Sequence, residues 1–164
     1  MKKIILIIFC IFIFTLHYYE FEEIKELEKS NITTIENENP NIYFSIQIDK
    51  IKLNQEIFSY QEKTVDTGIV YLKETDFENN FYILAAHSGN SKISFFKKLY
   101  KLKEKDLVIL NINGKKEKYE VESIEYVPKI GTIKIKKEEN TLYLTTCDRF
   151  NQKQQLVVKC VKSV

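Results

Sequence analysis

The chain has 164 residues, a hydrophobic content of 44% and a formal net charge of +2. That length fits one domain with a terminal tail, and the apolar fraction is large enough to bury a core. A net charge this close to zero gives no reason to expect nucleic acid as a partner. With two histidines and no Cys-x-x-Cys pair, the sequence offers no metal motif, and we expect no metal or other cofactor.

The N-terminus, residues 1–19, has the pattern of a signal anchor. Lys2 and Lys3 precede an apolar run from Ile4 to Phe14, which favours a cytoplasmic N-terminus and leaves the rest of the chain outside the cell membrane. No small-residue cleavage site follows the run, so we expect a single-pass anchor rather than a cleaved signal peptide. Residues 20–40 are acidic and predict a stalk, and residues 41–164 predict the folded domain.

Beyond residue 41 the pattern is typical of β structure. Apolar residues alternate with polar ones at Phe44, Ile46 and Ile48, and a second short strand follows through Ile57. Further strands are predicted at residues 81–86, 107–112, 118–127, 141–146 and 156–161. Seven or eight short strands in so few residues predict an all-β domain with a closed or nearly closed barrel.

Local signals refine this prediction. Asn113-Gly114 predicts a tight type I′ turn, since both positions of that turn need positive φ. The apolar phase slips between Val121 and Ile124, which predicts a bulge, and Pro128 should end that strand. Residues 93–100 have the apolar spacing of one short helix.

Two side chains stand where a predicted strand meets a polar loop. Cys147 follows residues 141–146, and a thiol in this position is either a nucleophile or a small buried apolar residue. His87 follows residues 81–86 and is the only histidine outside the N-terminal segment. It is either a general acid and base or a turn residue without a role. Cys160, on the last strand, is either part of the barrel wall or a disulfide partner of Cys147.

Four segments together resemble the sortase family. Residues 141–147 (TLYLTTC) resemble the sortase Thr-Leu-x-Thr-Cys signature, and residues 81–89 resemble the strand that leads to the sortase histidine, with Ala86 in place of a glycine. Residues 95–106 are similar to the phenylalanine, leucine and "L-x-K-G-D" stretch of the family, and residues 46–53 to its opening strand. The resemblance covers about residues 42–162.

This resemblance implies a sortase β-barrel and a two-step acyl transfer. Cys147 would attack a sorting motif of the Leu-Pro-x-Thr-Gly type on surface proteins and form a thioacyl enzyme. An amine from a cell-wall precursor or a pilin would then resolve that intermediate. His87 would protonate the leaving amine and deprotonate the incoming one. The chemistry needs no metal or organic cofactor.

The sequence departs from the family at one functional position. Sortases carry an arginine near the start of the last strand, where this chain has Gln155, or Gln154 with a shift of one residue. Gln155 as a neutral donor, Lys153 as a cation and Arg149 from the loop are the three possible substitutes. We favour Arg149 as the third catalytic residue, because it is the only guanidinium in the chain.

Three functions remain open on these residues. The first is a membrane-anchored sortase that anchors surface proteins or assembles pili, and the second is a hydrolytic cysteine peptidase in which water resolves the thioester. The third is a catalytically impaired sortase-like barrel that acts as a surface peptide-binding module. The missing arginine favours the third, whereas Cys147 and His87 in their motifs favour the first two.

Overall fold

The computed structural model describes residues 42–89, 92–129 and 135–163. The predicted anchor (1–19) and stalk (20–40) lie outside the described residues. Among the described helices, none has the length and apolar character needed to cross a membrane.

Within the part of the chain that the structure describes, eight strands close into a barrel, as the alternation of apolar residues predicted. The strands are β1 (Phe44–Ile48), β2 (Leu53–Ser59), β3 (Ile69–Tyr71), β4 (Phe81–Ala85), β5 (Leu107–Ile112), β6 (Lys115–Pro128), β7 (Thr141–Cys147) and β8 (Gln154–Lys162). Their order around the barrel is β1-β2-β3-β4-β7-β8-β6-β5. The connections that the structure describes contain two short 3₁₀ helices, Asp49–Ile51 and Leu99–Lys101.

The core fills the inside of this barrel. Phe44, Ile46 and Ile48 of β1 are buried, so the predicted apolar face of that strand is confirmed. Every residue of β4 is buried, and so is every residue of β7 up to Thr146. Both strands are therefore covered on two faces, which is why the sequence of β4 reads as a continuous apolar run rather than an alternating one.

The turn predicted between β5 and β6 and the bulge predicted within β6 are both confirmed. Asn113 and Gly114 have φ values of 51° and 85°, as a type I′ turn requires. The β6–β8 register shifts between Val121 and Ser123, where the bulge was predicted, and β6 ends at Pro128. The strand β3 was not predicted, because three residues are too few to show a period of two.

The helix predicted over residues 93–100 is wrong. This segment consists of turns followed by the 3₁₀ helix Leu99–Lys101, and the amide of Leu99 donates to the carbonyl oxygen of Phe96 over 3.0 Å. The buried apolar residues here are Phe96, Leu99 and Leu102. That spacing of three matches the three residues per turn of a 3₁₀ helix, not the 3.6 of an α-helix.

Glu117, on β6, is a buried carboxylate, and it predicts a measurable acid sensitivity. Burial raises its pKa, but hydrogen bonds from Lys162 and Lys115 outweigh burial and hold that pKa below its usual 4.5. Lys162 Nζ lies 2.9 Å and Lys115 Nζ 3.2 Å from the carboxylate. A lowered pKa means that this stabilisation is complete above pH 4.5 and is lost as the pH falls further.

We expect Glu117→Gln to lower the free energy of unfolding by about 1–3 kcal/mol at neutral pH, since charge-assisted hydrogen bonds are lost. The difference from wild type should shrink as the pH falls below 4.5, because the wild-type carboxyl then becomes protonated. Denaturant unfolding at several pH values measures both effects, with the exposed Glu120→Gln on the same strand as control. If the difference in the free energy of unfolding between Glu117→Gln and wild type stayed constant down to pH 3, Glu117 would not be the source of the acid sensitivity.

Candidate active site

The parallel strands β4 and β7 bring His87 and Cys147 to one edge of the barrel. The two strands are neighbours, and Ala85 of β4 lies opposite Thr145 of β7. His87 comes two residues after Ala85, and Cys147 comes two residues after Thr145. Both therefore lie at the same distance along the two strands. A strand end fixes the backbone while leaving the side chain accessible, which is a suitable position for a reacting group.

Two side-chain hydrogen bonds join the backbones on either side of these residues. The hydroxyl of Thr146 donates to the carbonyl oxygen of Ala86 over 2.6 Å. The hydroxyl of Ser88 donates to the carbonyl oxygen of Cys147. We call this reciprocal pair of bonds the strand clamp. One bond attaches Ala86, the residue before His87, to β7. The other attaches Ser88, the residue after His87, to Cys147.

Cys147 is the last residue of β7 and is only partly buried. In the neighbouring strand Gln155 lies directly opposite it. Lys129, just past the end of β6, reaches over and donates from Nζ to the Cys147 sulfur across 3.4 Å. Lys129 was not among the predicted site residues, and the only signal for it in the sequence is its position directly after Pro128, which ends the predicted strand.

His87 has a carboxylate partner that was also missed. Its Nε2 contacts Oδ1 of Asp66, which lies in the turn between β2 and β3. The side chains of His87 and Asp66 are 41% and 67% exposed, so water weakens their attraction. Nothing in the local sequence indicates Asp66, because only the path of the β2–β3 connection brings it to the histidine.

The three predicted substitutes for the missing arginine lie in different places. Gln155 lies on β8 opposite Cys147. Lys153 precedes β8 in an exposed turn, where its carbonyl oxygen accepts from the Lys129 amide over 2.8 Å. Arg149 is exposed in the loop that begins at the buried Asp148, and its catalytic role stays a prediction.

Cys160 belongs to the barrel wall, and the disulfide with Cys147 is wrong. Both cysteines are free thiols. Cys160 lies opposite Leu142 at the far end of β7 and is completely buried. Cys160 and Gln155 lie on β8 at positions of opposite parity, so their side chains project from opposite faces of the sheet. Cys160 is therefore on the face that does not carry Cys147. Burial raises the pKa of its thiol to about 12, so it stays protonated and unreactive at neutral pH.

The face of the sheet that carries Cys147 also carries a second apolar cluster. Its buried members are Phe81, Ile83, Tyr143 and Val157, with Leu72, Val127 and Ile135 packed against them. Residues 135–140, which precede β7, are tied down beside it by ion pairs. Lys159 Nζ lies 2.9 Å from Glu138, and Lys137 Nζ lies 2.7 Å from Asp76. Hydrogen bonds from Lys136 and then Lys159 lower the pKa of Glu138 to about 2.

These groups together supply the parts of an acyl-transfer site. Cys147 offers a sulfur nucleophile, and His87 offers an imidazole that can carry a proton to or from a substrate nitrogen. Lys129 puts a positive charge beside the sulfur.

The sortase-domain family model matches residues 46–163. No curated protein matches the chain.

Several solved sortase structures share the fold. Sortase C-1 from Actinomyces oris is 24% identical with a TM-score of 0.64, and the match covers 74% of this chain and 73% of that one. A lid mutant of sortase A from Corynebacterium diphtheriae is 21% identical with a TM-score of 0.64, covering 79% and 74%. Sortase C1 from Streptococcus agalactiae is 23% identical with a TM-score of 0.64, covering 73% and 66%.

Proposed function

This chain belongs to the sortase family of cysteine transpeptidases, and we propose that it joins proteins carrying a sorting motif of the Leu-Pro-x-Thr-Gly type to an amine of the cell wall or of a pilin. The observation that carries the proposal is the strand clamp, which fixes Cys147 and the only histidine of the described domain at one edge of the barrel.

In the first step the Cys147 sulfur attacks the carbonyl carbon of the scissile peptide bond. The carbon–nitrogen bond then breaks, and the leaving amine takes a proton from the His87 imidazolium. The product is a thioester between Cys147 and the sorting motif. In the second step an incoming amine gives a proton to His87 and attacks the thioester, so the new peptide bond forms and the thiolate is released.

The surroundings of Cys147 on its own face of the sheet are apolar, which supports a motif that contains apolar residues such as leucine and proline. Val157 lies opposite Thr145 and Val127 opposite Gln155, so apolar side chains flank the nucleophile along its own face of the sheet. The hydroxyl of Thr145 is buried and has no hydrogen-bond partner within the described residues. A bound peptide backbone would supply that partner, and buried hydroxyls rarely stay without one.

We also propose that residues 1–19 anchor the enzyme in the cell membrane, with the barrel on the outer side. The support is the sequence pattern of two lysines before an apolar run. This location would place the active site next to proteins that are still attached to, or leaving, the membrane.

The test is mass spectrometry of the full chain in mild detergent, incubated with a panel of sorting-motif peptides. We expect an acyl adduct on Cys147 that is absent from Cys147→Ala, and we expect an added amine to release it as a new amide. Peptide mapping separates Cys147 from Cys10, and the buried Cys160 should not react.

Each outcome assigns a function. An adduct that water resolves as fast as the added amine does would favour the hydrolytic peptidase. Peptide binding without any adduct, in folded protein with reduced Cys147, would overturn the transpeptidase and favour the peptide-binding module.

A further inference from the structure

We propose that Lys129 is the catalytic cation of this enzyme, pairing first with the Cys147 thiolate and then with the oxyanion of the tetrahedral intermediate. The inference rests on the proposed acyl transfer and names the residue that supplies positive charge to it. It replaces Arg149, the residue that the sequence analysis favoured for this role.

The sheet register positions Lys129 for this contact. Cys147 pairs with Gln155 of β8, and Gln155 pairs in turn with Val127 of β6. These three residues form one row across three strands, and their side chains project from the same face of the sheet. Lys129 follows Val127 by two residues and keeps its parity, so its side chain leaves the backbone on the face that carries the sulfur.

The backbone of Lys129 is held in place. Its amide donates to the carbonyl oxygen of Lys153 over 2.8 Å, which extends the β6–β8 ladder one step beyond Pro128. Pro128 fixes its own φ, which stiffens the chain at this point. Two strand spacings, about 10 Å, separate the backbones of β6 and β7. A lysine stem can cover most of that distance by passing above Gln155, so Nζ arrives 3.4 Å from the sulfur.

The positive charge of Lys129 is available to an anion at the site. Within residues 42–89, 92–129 and 135–163, no carboxylate forms an ion pair with its ammonium group, and the polar partner of Nζ is the Cys147 sulfur. The ammonium group can pair with the negative charge of the Cys147 thiolate, which is the form that reacts. Gln155, opposite Cys147, is neutral and cannot supply this charge.

The ammonium group of Lys129 can pair with the negative charge both on the sulfur and on the oxygen that carries it later in the reaction. The thiolate gives an electron pair to the carbonyl carbon, the sulfur–carbon bond forms, and the π pair of the carbonyl moves onto its oxygen. The negative charge thus moves from the sulfur to an oxygen two bonds away. A lysine has three donors on a flexible stem, so a small rotation keeps the ammonium paired with that oxygen. When the carbonyl re-forms, the leaving nitrogen takes its electron pair and a proton from His87.

The experiment compares Lys129→Met, which keeps the length of the stem and removes the charge, with wild type and Lys129→Arg. We expect Lys129→Met to slow acylation by a sorting-motif peptide by about 10²-fold, the loss typical of one oxyanion donor. Lys129→Arg should stay within about tenfold of wild type. The double variant Lys129→Met/Gln155→Arg should recover at least tenfold over Lys129→Met, because it returns a cation to the row that contains Cys147.

A second readout needs no peptide, so it separates failure of this inference from failure of the proposed function. Alkylation of Cys147 at pH 7 should be slower in Lys129→Met than in wild type. The loss should be larger with the anionic reagent iodoacetate than with neutral iodoacetamide, because the ammonium also attracts the carboxylate. This difference is expected even if no peptide forms an acyl adduct.

Two further variants complete the test. Lys116→Met removes an exposed lysine at the opposite end of β6 and should leave both readouts unchanged. Arg149→Met tests the competing cation. Acylation and alkylation within twofold of wild type in Lys129→Met, with a large loss in Arg149→Met, would overturn the proposal.

Discussion

Replacing His87 with alanine will slow thioacyl formation by about 10²–10⁴-fold, the contribution of a positioned general acid and base. The leaving nitrogen must gain a proton as its bond to the carbonyl carbon breaks. His87 is the only described histidine, and its 41% exposed side chain can reach a substrate. Single-turnover mass spectrometry of the acyl adduct measures the rate.

A matched variant separates proton transfer from positioning. Asp66→Asn keeps the shape of the partner of His87 and removes its charge. Because the pair is exposed, we expect this change to slow acylation by less than about tenfold. Imidazole added to His87→Ala should restore part of the rate but should have no effect on Asp66→Asn. If His87→Ala kept a third or more of the wild-type rate, the histidine would not be the proton carrier.

The barrel and the positions of Cys147 and His87 at the ends of strands could be predicted because their signals are local. Alternation of apolar residues marked β1, a continuous apolar run marked β4, and a segment of leucine, tyrosine and threonine marked β7. His87 and Cys147 each come directly after one of the last two segments, so their positions at strand ends followed from the sequence. Motif resemblance then linked two residues that are 60 positions apart in the chain.

What could not be predicted depends on contacts between distant segments. Lys129 reaches Cys147 only because β8 lies between β6 and β7, and the sequence does not give that strand order. Asp66 meets His87 through the course of a connection. Arg149 was favoured because of its residue type, whereas the register brings a lysine to the sulfur. Residue type alone therefore did not indicate which basic side chain the strand pairing places beside the Cys147 sulfur.

Contacts between distant segments also hold the backbone beside His87 to the backbone of Cys147 and Thr146, through the strand clamp. Thr146 holds the carbonyl oxygen of Ala86, and Ser88 holds that of Cys147. A shift of about 1 Å between reacting groups can cost about 10²-fold in rate. We therefore expect the double variant Ser88→Ala/Thr146→Val to slow acylation by about 10–100-fold, although neither residue touches the substrate in the proposed mechanism.

The matched control is Thr141→Val, at the other end of the same strand. Its hydroxyl donates to the carbonyl oxygen of Glu139 over 3.2 Å, so it loses the same kind of bond at a site far from Cys147. Thr146→Val should lower the free energy of unfolding by about 1–3 kcal/mol, the cost of an unpaired buried acceptor. Thr141→Val should lower it by less, because Glu139 is exposed and water can reach its carbonyl oxygen. Only the variants of the clamp should slow acylation. Alkylation of Cys147 by iodoacetamide should change little in them, because Lys129 stays beside the sulfur. If Thr141→Val slowed acylation as much as Thr146→Val, general loosening of the barrel would explain the loss, and the clamp would have no positioning role.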